Sequence, residues 1–194
     1  MILNLKSLLL IATSSALLGL TGCQAIQTQP SPPTTQNLVQ SNQFNLQGKI
    51  GVKTPKQSGS AFFTWQQQDE QFDIELSGIL GVGKTQISGQ PGQVTLNSAK
   101  TGEITANSPE ELLFRATGWE APITYLVDWV QAKQATEEAE IQKDESMRIS
   151  EIKEQGWHIQ LSYNGQSTQP NRLILKQQLE DGTENRITMV IQNR

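Results

Sequence analysis

Apolar and polar residues alternate from Phe44 almost to the C-terminus, with one interruption. Phe44, Leu46, Gly48, Ile50 and Val52 fall opposite Asn45, Gln47, Gly51 and two lysines, the period-two signature of a half-buried strand. After the turn Pro55-Lys56-Gln57-Ser58-Gly59, Ala61, Phe63 and Trp65 share one face, and Phe72, Ile74 and Leu76 alternate with Asp73 and Glu75. Lys84 to Gln90 stays extended, Pro91-Gly92 turns, Val94 and Leu96 alternate, Gly102 turns again, and Ile104 belongs to another short strand. Strands joined by turns this short pair antiparallel. Beyond the interruption, Met147 to Lys153 resumes the extended pattern. Trp157, Ile159, Leu161 and Tyr163 make a strong alternating face closed by the hairpin dipeptide Asn164-Gly165. Leu173 and Leu175 form the next strand, Asp181-Gly182 turns, and Ile187, Met189 and Ile191 end the chain. The expectation is a mainly β domain of about nine to eleven short strands, a strongly curved antiparallel sheet or unclosed β-barrel with an apolar interior.

The interruption is helical. Ser108 as N-cap, Pro109 at the first helical position and Glu111 three residues after the cap form a capping-box start, and Gly118 ends the helix. Pro122 opens a second helix through Ile123, Leu126, Val127 and Val130, with Tyr125 and Trp129 beside that stripe. This helical insertion, at about 108–131, forms a natural lid over the sheet. Gln131 to Glu145 is charged and reads as a solvated helix extension or loop, and Asn37 to Gln43 as a short helix or lead-in.

The N-terminal segment changes the compartment. Lys6 precedes an almost wholly apolar or small run, Ser7 to Leu20, which then meets Leu20-Thr21-Gly22-Cys23. A short apolar run with a charged start and small residues at its end is an export signal rather than a membrane span. Its ending resembles the bacterial lipobox, in which the cysteine is lipidated and becomes the first mature residue. Cys23 is the only cysteine, so it has no disulfide partner or metal-site companion. Each buried CH₂ of an acyl anchor contributes ~0.8 kcal/mol, so a triacylated Cys23 would hold the chain at a membrane essentially permanently. Gln24, rather than Asp, is compatible with the outer membrane. The expected organisation is a signal peptide over 1–22, a proline-punctuated polar tether over 23–36, and one domain over 37–194.

Charge and composition exclude several functions. The formal net charge is −4, and the leader's only charge is Lys6, so the mature chain is one unit more acidic. That balance, with no basic block, leaves no electrostatic footprint for nucleic acid and argues against charge-driven adhesion to anionic lipid. Catalysis finds little support. His158 is the sole histidine, on the polar face of its strand and read as solvated; no Cys/His nucleophile pair or metal-ligand cluster can be assembled. Glu137 and Glu138 lie in a charged, solvated run. No cofactor is expected beyond the covalent lipid on Cys23.

One stretch matches a nucleotide motif by spelling: Gly78-Ile79-Leu80-Gly81-Val82-Gly83-Lys84-Thr85 fits G-x-x-x-x-G-K-[ST]. A phosphate loop needs a helix directly after it, to aim N–H groups at the anion. Here a turn follows within a few residues, and the exported compartment lacks ATP. The same glycines fit the flanks of an apolar hairpin tip.

Taken in order, the lipobox, Gly48-Lys49-Ile50-Gly51-Val52, Ala61-Phe62-Phe63-Thr64-Trp65-Gln66-Gln67, the Leu80-Gly81 tip, Gln90-Pro91-Gly92, Glu110-Glu111, Thr117-Gly118 with Pro122 after it, and Trp129-Val130 resemble the LolB family of outer-membrane lipoprotein receptors. The resemblance covers most of the mature chain and thins after Trp129. It implies an unclosed antiparallel barrel lidded by helices. It also implies that the protein, a monomer, takes acylated lipoproteins from the periplasmic carrier LolA and places them in outer-membrane lipid. By position, Leu80 is the exposed residue of a protruding loop that engages the bilayer, with Ile79 and Val82 as helpers. The family often has Asn-Pro where Gly78-Ile79 stand here. An acyl cargo offers no hydrogen-bond handle, so its site must be deep and apolar; the candidates are Phe63, Trp65, Ile74, Leu76, Trp129, Ile159, Leu161, Tyr163, Leu173 and Leu175. Trp119 and Trp129 either touch cargo or seat the helices. The rival reading is a structural or assembly lipoprotein that binds protein partners and no lipid.

Overall fold

The structure is a computed structural model and describes residues 42–78 and 83–194. Cys23, Ile79, Leu80 and Val82 therefore lie outside the described residues, as do the leader and the tether. Eleven antiparallel strands form one sheet: β1 (Gln43–Lys53), β2 (Ser58–Gln68), β3 (Gln71–Ser77), β4 (Lys84–Gln90), β5 (Gln93–Ser98), β6 (Gly102–Ala106), β7 (Glu140–Lys143), β8 (Ile149–Glu154), β9 (Trp157–Ser162), β10 (Arg172–Gln178) and β11 (Glu184–Asn193). Their order is β6-β5-β4-β3-β2-β1-β11-β10-β9-β8-β7. The first and last strands meet in the middle, and the two edges, β6 and β7, are not paired to each other. This is the expected unclosed sheet.

The chain that joins β6 to β7 carries the helical insertion across to the opposite edge. Helix α1 (Pro109–Thr117) is set as its capping signals require. Ser108 Oγ accepts the Glu111 N–H at 3.1 Å, Glu111 Oε2 accepts the Asn107 N–H at 2.8 Å, and Gly118 closes the helix in the left-handed region. The second helix is shorter than expected: a 3₁₀ turn, Ile123–Tyr125, runs into a single α-turn, α2 (Leu126–Trp129). Ala132 at φ 57° breaks it, because a left-handed residue cannot continue a right-handed helix.

Three other expectations are corrected. The charged segment after Gln131 runs as a loop rather than a helix extension, as one of its two readings had it, but it ends in β7, a short edge strand on β8 whose exposed charges suit an unpaired edge. Met147 belongs to a turn, at φ 63°, in which the Asp144 carboxylate accepts the Ser146 and Arg148 N–H groups, so β8 starts later. Asn164-Gly165 does not close a two-residue hairpin, since Ser162 pairs with Arg172 and the Asn164 carbonyl makes a local turn with the Ser167 N–H. Of the segment Asn37 to Gln43, read as a short helix or lead-in, residues 37–41 lie outside the described residues, and Gln43 opens β1. The phosphate-loop reading fails as well, because Lys84 and Thr85 begin β4.

Register turns the alternation into continuous inward rows. Phe63 lies between Gly48 and Leu76, and Trp65 between Leu46 and Ile74. On the other half, Ile159 faces Leu175 and then Ile187, while Leu161 faces Leu173 and then Met189. These side chains form one cluster with Ala121, Leu126, Trp129 and Val130 from the helical segment. A second cluster of Val94, Ala106 and Leu112 lies under α1. All buried members of both fall between Leu46 and Ile191, so residues 42–194 carry their own core.

Gly48 is where this packing leaves no room. The β1–β11 register shifts there, and a Cβ would stand 2.0 Å from the Val190 carbonyl oxygen. Backbone cannot yield as a flexible side chain can. Gly48→Ala is expected to destabilise the domain by about 3 kcal/mol, read as a lower denaturant midpoint at unchanged m-value. A midpoint within error of the parent would contradict the close approach.

Candidate functional site

The inner face is not evenly covered. Over β2 and β8 to β11 the inward residues are buried, with the helical segment packed on them: Phe63, Trp65, Ile159, Leu161, Leu173 and Leu175 are all among the core. Over β3 to β6 only Val94 and Ala106, beneath α1, are buried, and the other inward aliphatics are half-buried, although they point to the same side. Ile74, Ile87, Leu96 and Ile104 stand directly opposite one another on four successive strands. Phe72, Leu76 and Leu113 flank this row and are half-buried too. An apolar concave strip that its own lid leaves partly open is the physical requirement for a non-directional ligand.

The ten apolar candidates thus all meet on the inner side, in three situations. Ile74 and Leu76 lie on the half-open strip. Phe63, Trp65, Trp129, Ile159, Leu161, Leu173 and Leu175 are closed under the helical segment, with Trp129 only 1% exposed. Tyr163 sits just beyond β9, where its hydroxyl donates to the Ile149 carbonyl and the Arg148 guanidinium lies 4.4 Å from its ring. Ile87, Leu96 and Ile104 escaped selection because their strands are short and rich in Gln, Ser, Thr and Gly. Their signal was parity: each shares the inward phase of Ile74.

The helical segment is held by one buried carboxylate that sequence reasoning also missed. Glu154, at the end of β8 and opposite Trp157, points inward and is 5% exposed. Its Oε2 accepts the Trp129 indole N–H at 2.7 Å and the Ala135 N–H at 3.1 Å, and its Oε1 accepts the Thr136 N–H. Burial pushes the carboxyl up, but these donors outweigh burial and hold it below its ordinary value. Trp129 therefore seats the lid. Burial instead raises the nearby Asp128 carboxyl, partly offset by Lys133, with Glu154 adding to the rise. Two further ties hold the segment: Arg194 Nη2 donates to the carbonyls of Val130 and Pro170, and Glu110 Oε1 accepts the Thr124 N–H at 2.7 Å. Trp119 packs edge-on against Trp157 at 6.4 Å, and its buried Nε1 has no partner among the described residues.

Little else resembles a reactive site. His158 is half-buried on the outer face rather than simply solvated, with Nε2 3.0 Å from Glu151 Oε2. That contact holds the Glu151 carboxyl below its ordinary value despite some burial. Among the described residues no group of three or more His, Cys, Asp or Glu is placed to hold a metal ion. A cleft of about 920 Å³ opens at the β2–β3 and β4–β5 turns, but half of its lining is glutamine, with only Phe44 and Phe72 as large apolar residues. Its chemistry does not suit an acyl chain.

Comparison with known proteins matches the family model for outer membrane lipoprotein LolB over residues 42–193. Among curated relatives, the outer-membrane lipoprotein LolB of Pseudomonas syringae is 36% identical over 160 residues, covering 79% of this chain and 78% of its own. That of Pseudomonas putida is 34% identical over 154 residues, with 77% and 73% covered. That of Stutzerimonas stutzeri is 33% identical over 153 residues, with 77% and 72% covered.

The Glu154 anchor has a pH signature. A carboxyl held below its ordinary 4.5 in the folded state contributes stability above that pH and loses it as pH falls through the folded value. Asp128, raised above its ordinary 3.8, works in the opposite direction. Glu154→Gln keeps the size but sets an amide donor against three donors, and is expected to cost about 2 kcal/mol at neutral pH. Denaturation from pH 7 down to pH 3 should show the cost shrinking as pH falls; a difference independent of pH would refute the assignment.

Proposed function

We propose a function from the premise that this chain belongs to the LolB family of outer membrane lipoproteins: it is an outer-membrane receptor that accepts acylated lipoproteins and inserts them into that membrane. It is lipid-anchored through Cys23, faces the periplasm on the tether, acts as a monomer, and takes its cargo from the soluble carrier LolA. No cofactor enters beyond that anchor, and the work is transfer between apolar environments rather than bond chemistry.

The observation that carries this reading is the half-open inner strip Ile74–Ile87–Leu96–Ile104. Aliphatic walls compete with water for acyl chains without fixing their direction, so a chain that slides in can slide out again. The strip holds part of the cargo, and the closed cluster under the helical segment enlarges it when that segment shifts. Leu126, Trp129 and Val130 would leave the sheet together, because they sit on a single α-turn ended at Ala132. Phe63, Trp65, Ile159, Leu161, Leu173 and Leu175 then join the acyl-contacting wall. Leu76 lies at the end of β3 just before the connection that carries Ile79, Leu80 and Val82, so cargo leaving the strip on that side meets the membrane-engaging tip. One leucine entering a bilayer contributes about 1.5–3 kcal/mol. That is enough for transient contact and too little for anchoring.

Two variant classes separate uptake from delivery. In the mature chain carrying Cys23→Ala, Ile87→Ser or Leu96→Ser should weaken capture of a triacylated peptide from the carrier about tenfold each. Folding should survive, because neither side chain is in the buried core. Leu80→Glu should capture normally yet fail to pass the peptide to liposomes. A domain that binds only unacylated protein would overturn the transfer reading and favour an assembly role; normal delivery by Leu80→Glu would overturn the role of the tip.

A further inference from the structure

The outer face of the sheet holds a feature that cargo capture does not use. Register aligns Lys53 on β1 with Arg186 on β11, Arg186 with Lys176 on β10, Lys176 with His158 on β9, and His158 with Lys153 on β8. Five adjacent strands thus carry basic side chains in one lateral row. At the β8 end the row is compensated: Lys153 meets Glu140 at 3.3 Å, and His158 meets Glu151. At the other end it is not. Lys53, Arg186 and Lys176 take part in none of the ion pairs among the described residues. Glu184, on the same face two residues along β11, makes no ion pair with Arg186 either. Like charges directly opposite across strands are destabilising, so this end of the row stands at a cost that an external anion would relieve.

A cleft of about 390 Å³ lies where that anion would sit. Lys53 and Arg186 stand on one side, Ser58, Ser60 and Thr188 supply hydroxyls, and Gly51 and Gly59 line its floor. Gly51 is telling. Glycine weakens a strand interior unless something approaches closely. At Gly48 that something is the Val190 backbone. At Gly51 a Cβ would meet nothing nearer than the Gly59 carbonyl oxygen at 3.9 Å, an ordinary contact. The protein itself does not demand glycine there; the missing side chain keeps the cleft open.

The surroundings indicate where the anion comes from. Two residues along β2 from Ser60, Phe62 is 54% exposed on the same face, and Lys49 Nζ lies 4.9 Å from its ring centroid. Phe62 pairs with Ser77, and Ser77 with Lys84, the two residues flanking the connection that holds Leu80. Cations, hydroxyls and an exposed aromatic at one end of the strands are the composition of a membrane-interface surface. We propose that this cleft binds the phosphate of a membrane phospholipid, with Lys53 and Arg186 pairing its oxygens and Ser58, Ser60 and Thr188 donating to them. Two anionic oxygens match the forked donors of Arg186. Bound this way, the β1–β2 end and the adjoining ends of β3 and β4, at Ser77 and Lys84, face the headgroups. The acidic net charge conceals the site, because the cations are gathered on one face. The orientation rests on the delivery reading above; the phosphate site does not.

The test uses the mature chain carrying Cys23→Ala, so that no acyl anchor contributes, and vesicles of phosphatidylethanolamine and phosphatidylglycerol. Sedimentation should show binding that weakens with salt. Lys53→Gln with Arg186→Gln should weaken it about thirtyfold. Gly51→Val, which fills the cleft and leaves the charges in place, should weaken it at least tenfold with no loss in Tm. Capture of the triacylated peptide should be unchanged in every variant, which separates this site from the cargo site. Equal vesicle binding by the parent, the double variant and Gly51→Val would overturn the proposal. So would saturation of the cleft by inorganic phosphate or glycerol 3-phosphate at low micromolar concentration with no gain on vesicles, since the ligand would then be a free phosphate.

Discussion

The interior of this domain depends on one carboxylate placed where an aliphatic residue would be expected. Glu154 has the inward phase of Ile152, and three donors converge on it, one from the helical segment and two from the loop that follows it. A buried ion without partners would cost several kcal/mol, and three charge-assisted hydrogen bonds offset that cost only in one geometry. The result is a directional clasp in a layer otherwise held by non-directional packing. Leu126, Trp129 and Val130 could slide over a greasy sheet at little cost, but Trp129 cannot turn without giving up its acceptor. The clasp sets the register between lid and sheet, and leaves the β3 to β6 strip to α1, which covers it less completely.

That unequal cover separates two kinds of apolar residue that look alike along the chain. Leu173 and Ile87 are both inward, and both sit between polar neighbours. The first is sealed beneath the lid; the second is half-open. A core tolerates no vacancy, whereas a site for a departing ligand must not be satisfied by its own protein. With the helical segment in place, one sheet therefore holds a closed core beside an open strip, without a separate domain.

The architecture was legible because period-two alternation survives in every long strand, and because Ser108, Pro109, Glu111 and Gly118 each act locally. What depended on contacts distant in sequence was not. Nothing local marks Glu154, whose role depends on the indole of Trp129, 25 residues away. β7 is exposed along its whole length, so no burial pattern marks it as a strand; only pairing with β8 does. The outward cations of β1, β11 and β10 are scattered from Lys53 to Arg186 and become a row only through cross-strand register. Asn164-Gly165 erred the opposite way: a strong local turn signal was absorbed into a longer loop whose ends are fixed by Ser162 and Arg172.

The pairing of β1 with β11 also dictates an order of assembly. The runs β1 to β6 and β7 to β11 are meanders, in which each strand pairs with the next along the chain. The contact that unites them joins Gly48 to Ile191, nearly the whole length of the domain, and loop closure on that scale is the slow step of a β topology. A chain emerging N-terminus first through a membrane must therefore expose its first six strands before the seam can form. Until Ile191 arrives, Leu46 and Phe63 have only half of their interior. Such a protein becomes able to hold anything only when its last residues are through, so an incompletely exported copy has no finished pocket with which to trap cargo.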